Sequence, residues 1–135
     1  MEPGNTLYWS MGIFIFIIAY FLIQFSIEVT RGFFILLIIA GATFILFGIL
    51  LLDFSRSEKG KLKIFLIITG VSAISPLVFT ILHNVFYGLA ITFENLSFIF
   101  NSLHIASFLI SLVIAPITYL IGFIGSIIIL KKERR

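Results

Sequence analysis

Long apolar runs broken by short polar interruptions define this chain. Four of them, at 8–27, 33–52, 64–93 and 105–130, contain no Asp, Glu, Lys or Arg. Each is at least as long as the roughly 20 helical residues that cross the hydrocarbon core of a bilayer. Lipid offers the backbone no hydrogen-bond partner, so each run predicts a helix that satisfies its own amides. The expected fold is therefore all-α: a polytopic integral membrane protein whose four transmembrane helices form one domain over residues 1–135.

The interruptions predict the connections. Residues 28–32 read as a tight turn, which makes the first two helices an antiparallel hairpin. Ser55, Ser57, Glu58, Lys59 and Gly60 read as a solvated turn. Residues 94–104 mix polar side chains with Leu96, Phe98, Ile99 and Phe100, and predict a connection lying in the outer interface.

Charge orients the bundle. Eight of the nine basic residues form two clusters, Arg56, Lys59, Lys61 and Lys63, then Lys131, Lys132, Arg134 and Arg135. With the N-terminus cytoplasmic, both clusters fall on the inner side and Arg31 alone on the outer, as the positive-inside rule requires. Both termini are thus expected in the cytoplasm, with Tyr8 and Trp9 at the inner interface and the chain multi-pass in the cell membrane. The clusters imply anionic lipid headgroups on the cytoplasmic side as partners. The first residues carry no positive n-region and no small-residue cleavage site, so the first run is expected to remain in the mature protein.

Composition narrows the function classes. The chain is 61% hydrophobic and 11% charged, with a mean hydropathy of +1.24. Those values exclude an ordinary soluble domain and a disordered chain. The net charge of +3 does not imply nucleic acid, because no basic face is interleaved with aromatics. The chain has no cysteine, which removes disulfides, thiolate metal sites and thiol nucleophiles. Gly-rich phosphate loops, H-E-x-x-H and G-x-S-x-G are also missing.

The third run holds the candidate chemistry. At 30 residues it would make roughly 45 Å of helix, more than the hydrocarbon thickness, so it must tilt, kink at Pro76 or emerge into the outer headgroups. Ser72, Pro76, His83, Tyr87 and Glu94 share one face, with Thr80, Asn84 and Gly88 on the adjoining stripe. Unsatisfied polar groups in lipid cost about 1–3 kcal/mol each, so this face should point into the bundle. Tyr20, Gln24 and Glu28 share a face of the first helix at the same depth, and His104 opens the fourth run at that level. The expectation is an outer polar cluster of His83, Asn84, Tyr87, Glu94, Gln24, Glu28 and His104. Pro76 and Pro116 sit at matched positions of the last two runs and read as helix kinks. Gly122-x-x-x-Ser126 is a small-xxx-small pair that lets helices approach closely, within one chain or between chains. Asn95-Leu96-Ser97 fits a glycosylation sequon but lies too close to the membrane to expect modification.

Small multidrug-resistance transporters are similar in size and span count. Their first helix carries a membrane-embedded glutamate, whereas positions 8–27 here hold no acid. The likeness ends at size, and it assigns no family.

Three function classes follow. The favoured one is a non-enzymatic accessory or oligomer-forming membrane component, with a second copy or another membrane protein as partner, because no catalytic constellation is present. The second is a small transporter or channel using the polar face of the third helix. The third is an intramembrane enzyme or metal-binding protein using the outer cluster. No cofactor is expected. A metal is not expected either, since His83 and His104 lack the short spacing of zinc ligand sets.

Overall fold

The computed structural model describes residues 2–26 and 31–133, with side chains over 2–23 and 35–132. It is all-helical. Helix α1 is Pro3–Ser26, α2 is Arg31–Ser57 and α3 is Gly60–Thr92. A 3-10 turn, Glu94–Leu96, leads into α4 (Ser97–Leu109), a π turn (Ile110–Ile114) and α5 (Ala115–Glu133). The last three stack end to end as one long rod. Four helical segments are thus long and apolar enough to cross a membrane.

The connections are tighter than the polar interruptions suggest. Ser55 and Ser57 belong to α2, their hydroxyls donating to the carbonyls of Leu52 and Phe54 at 2.6 and 2.9 Å. Only Glu58 and Lys59 separate α2 from α3. Gly60 makes this possible with a φ of +61°, a left-handed conformation that a side chain would strain. Segment 94–104 is helical from Ser97 onward, the reversal being confined to Phe93–Leu96. There the Phe93 amide bonds the Leu89 carbonyl and the Leu96 amide bonds the Phe93 carbonyl. A helix satisfies its own backbone, which favours it over an open loop beside lipid. Residues 27–30, with most of the expected 28–32 turn, lie outside the described residues.

Helix α3 is central and packs against α2, α4 and α5, while α1 lies on α2 and touches α5. Glycine sets the closest approaches. A Cβ on Gly70 would sit 2.7 Å from the Gly48 carbonyl oxygen, so α2 and α3 meet backbone to backbone. A Cβ on Gly122 would lie 2.5 Å from Thr69 Oγ1, and Gly125 faces the Phe65 ring. The Gly122–Ser126 pair is therefore used within the chain, to seat α5 on α3.

One core cluster lies at the end of the bundle nearest the chain ends and the other at mid-height. The first joins Leu7, Leu51, Leu62 and Leu66, with Ile129 and Leu130 packed against it. The other joins Phe44, Ala73 and Tyr119, flanked by Phe14 and Ile17. The first cluster also places Arg56, Lys59, Lys61, Lys63, Lys131 and Lys132 at the same end of the molecule. Toward the other end the helices bury little: beyond Ala73, Ala90 is the only buried side chain of α3.

Candidate functional site: the seam between the third and fourth rods

Polar and small side chains on α3 meet a matching stripe on α4–α5. On α3 the stripe is Thr69, Ser72, Pro76, Thr80, His83 and Tyr87; on the fourth rod it is His104, Ser107, Ser111, Ala115, Thr118 and Gly122. Spacings of three and four keep each set on one face of its helix. Because the two rods run antiparallel, the stripes meet rung by rung.

Ser72 donates to Thr118 Oγ1 at 2.8 Å. Thr118 in turn donates within its own helix to Ile114 or Ala115. One rung further, Ser111 donates to the Pro76 carbonyl at 3.2 Å and so accepts from Thr80, 3.1 Å away. Ser111 lies in the π turn, just before Pro116. Proline has no amide to donate back to its helix, and π turns commonly absorb such a defect. Ser72 pairs with Thr118, but His83 pairs with His104, so the fourth rod spends more residues than α3 over the same rise.

The top rung is the histidine pair. His83 Nδ1 lies 3.2 Å from the His104 carbonyl oxygen, and His104 Nδ1 lies 3.0 Å from the His83 carbonyl oxygen. A carbonyl only accepts, so both Nδ1 atoms carry hydrogen and donate. The rings stack with centroids 3.8 Å apart and planes inclined by 22°. Tyr87 packs on His104 at 5.3 Å and Phe108 on His83 at 5.5 Å. Both histidines are half-buried. Near-parallel rings direct their in-plane Nε2 lone pairs past one another, so this arrangement does not converge on a single metal ion.

Of the other expected members, Tyr87 packs on the pair, whereas Asn84 and Glu94 turn away from it. Asn84 is exposed and its amide donates to the Thr80 carbonyl of its own helix at 3.0 Å. Glu94 is exposed in the 3-10 turn. Gln24 lies on α1 but its side chain is outside the described residues, as is Glu28 altogether. Among the described residues α1 packs on α2 and α5 rather than on α3, so the partner of the α3 face is the fourth rod. Tyr20 is buried edge-on against Phe21, with centroids 6.0 Å apart. Pro76 sits inside an uninterrupted α3, while Pro116 follows the π turn.

A second polar link lies in mid-bundle and is invisible in the pattern of the third run. Tyr119 is 1% exposed and its hydroxyl is 2.8 Å from Ser10 Oγ. Ser10 donates to the Leu7 carbonyl, so Tyr119 is the donor of that pair. Rings of Phe14, at 4.7 Å, and Phe44, at 5.0 Å, enclose it. The link therefore joins α1 to α5 inside an aromatic cage that α2 completes. The available signal was the lone phenol of the fourth run, one turn after Pro116.

A shallow open groove lies far from the histidines, between the start of α1 and the end of α5. Gly4, Asn5, Tyr8, Ile127, Leu130 and Lys131 line it. No protein-family profile matches the chain, and no curated protein or solved structure matches it either.

Proposed function

We propose that this chain is a non-enzymatic helical component of the cell membrane, an accessory or oligomer-forming subunit with both termini in the cytoplasm. One observation carries the reading: three polar side chains on the α3 face turned to the fourth rod are consumed by partners there instead of surrounding a space. Ser72, Thr80 and His83 each bond across the seam, to Thr118, Ser111 and the His104 carbonyl. A transport route or a catalytic pocket needs such groups turned toward a substrate. Here they act as links between helices, each contributing about 0.6 kcal/mol in lipid. Both basic clusters at one end of the molecule support the cytoplasmic placement of that end. Lys131 beside the groove supports anionic lipid headgroups as its neighbours.

The test compares the unmodified protein with His83→Ala. In detergent at neutral pH the variant is expected to melt at lower temperature, and in liposomes both proteins are expected to be equally impermeable to protons and small cations. A proton or cation flux that disappears in His83→Ala would overturn the proposal in favour of transport.

A further inference from the structure

We infer that the His83–His104 stack is a proton-operated latch on the α3–α4 hairpin. The inference rests on the reading of this pair as a structural link and adds a condition under which the link opens. Because both Nδ1 atoms are committed to backbone carbonyls, the next proton on either ring goes to Nε2. One imidazolium over a neutral ring keeps both bonds. A second proton sets two positive rings face to face with centroids 3.8 Å apart, where a low dielectric magnifies their repulsion.

Among the described residues no acidic side chain faces the pair to relieve it. From α3 the neighbour is Tyr87 and from α4 it is Phe108. Asn84 is turned back to its own helix. Glu94, the acid of the connecting turn, is exposed and lies beyond the end of α3. α4 makes no packing contact with α1 or α2 among the described residues. The close approaches of α2 to α3 sit far below, around Gly48, Leu52, Gly70 and Ala73. Glu28 and the Arg31 side chain belong to the first connection, outside the described side chains.

This end of the hairpin is held by ring contacts, Tyr87 on His104, Phe108 on His83 and Phe93 on Phe100 at 6.3 Å, together with the histidine bonds. Above the histidines α3 buries only Ala90, and α4 buries only Ser107, below them. Two of those three ring contacts are made by the histidines themselves, so a repulsion that displaces the stacked rings disturbs both the reciprocal bonds and most of the ring packing there. Acid on the side facing the hairpin tip would therefore part α3 from α4 while the aromatic cluster at mid-height and the leucine cluster at the other end stay packed. Local charge acting on a weakly held element is a general form of pH switch.

The chain contains no cysteine, so labels can be placed without background. Val85 and Ser102 are exposed, one on each side of the seam. Spin labels on Val85→Cys and Ser102→Cys in the full chain, in lipid nanodiscs, are expected to give one narrow distance distribution at about pH 8. At about pH 5, where imidazoles are ordinarily charged, a longer and broader one should appear and reverse on neutralisation. Adding His104→Gln should abolish the response. An unchanged distance in the parent, or the same response in the His104→Gln chain, overturns the latch. Nitrogen NMR of the unmutated protein at about pH 8 gives an independent check, since Nε2–H tautomers would contradict the reciprocal Nδ1 bonds. If the distance ignores pH while His83→Ala still melts early, the structural link survives and the latch fails.

Discussion

The hydroxyl of Ser126 is fully buried on α5 and finds no hydrogen-bond partner among the described residues, whereas the Tyr119 hydroxyl, two turns earlier, donates to Ser10 across the bundle. An orphaned buried hydroxyl carries its desolvation cost uncompensated, about 1–3 kcal/mol. Ser126→Ala keeps the small volume that seats α5 and removes that cost. It is expected to raise the melting temperature in detergent, by the equivalent of about 1 kcal/mol; a lowered midpoint would show that the hydroxyl has a partner. The composition of the apolar runs already singled out His83, Tyr87 and His104 as residues needing partners, and the structure pairs them. It did not single out Tyr119 or Ser10. One hydroxyl in an apolar run carries no periodicity, and its partner comes from a helix more than 100 residues away in sequence.

Helices α3 and α4–α5 show how small residues convert a pattern into a contact. The Gly122–Ser126 spacing announces close packing, but an unassigned face could meet another helix of the chain or a second molecule. Only the position of Thr69 against Gly122 resolves it. Gly122→Ala would drive a methyl group into the backbone nitrogen of Thr69, 2.7 Å away, which no rotamer change can relieve. The expected destabilisation is about 1–3 kcal/mol. Gly88→Ala on the neighbouring helix is the control. It meets nothing within 4 Å, so removing a flexible glycine from a helix interior should leave stability unchanged or raise it by about 0.5–1 kcal/mol. Thermal melts of the two variants should therefore move apart, and equal losses would contradict the packing of α5 on α3. The π turn was not legible in advance. Pro116 signals a defect in the helix, but the ladder can absorb a missing amide by kinking or by widening one turn. Ser111, bonded to Pro76 and Thr80 across the seam, favours the second.

At the scale of the molecule, helix count and antiparallel order put both basic clusters at one end, and the packing of Leu7, Leu51, Leu62 and Leu130 agrees. Which side of a membrane that end faces is a matter of charge bias, and it can be read by labelling. Cysteines replacing Lys59 and Lys132 are expected to react only with a reagent admitted to the cytoplasm. A cysteine replacing Asn95 should react from outside. Labelling of Lys59→Cys and Lys132→Cys from opposite faces would break the four-span arrangement.

Run length and charge placement determined the helices and their order, because in lipid every backbone amide must be satisfied inside its own segment. That requirement is local, so a single sequence contains it. The choice of partner faces is not local. His83 at its depth could have been met by Gln24 and Glu28 of the first helix or by His104 of the fourth, and hydropathy values these alternatives equally. Tertiary structure decided for His104. Glycines on α5 let the fourth rod approach α3 closely enough to form hydrogen bonds, while the described part of α1 packs on α2 and α5.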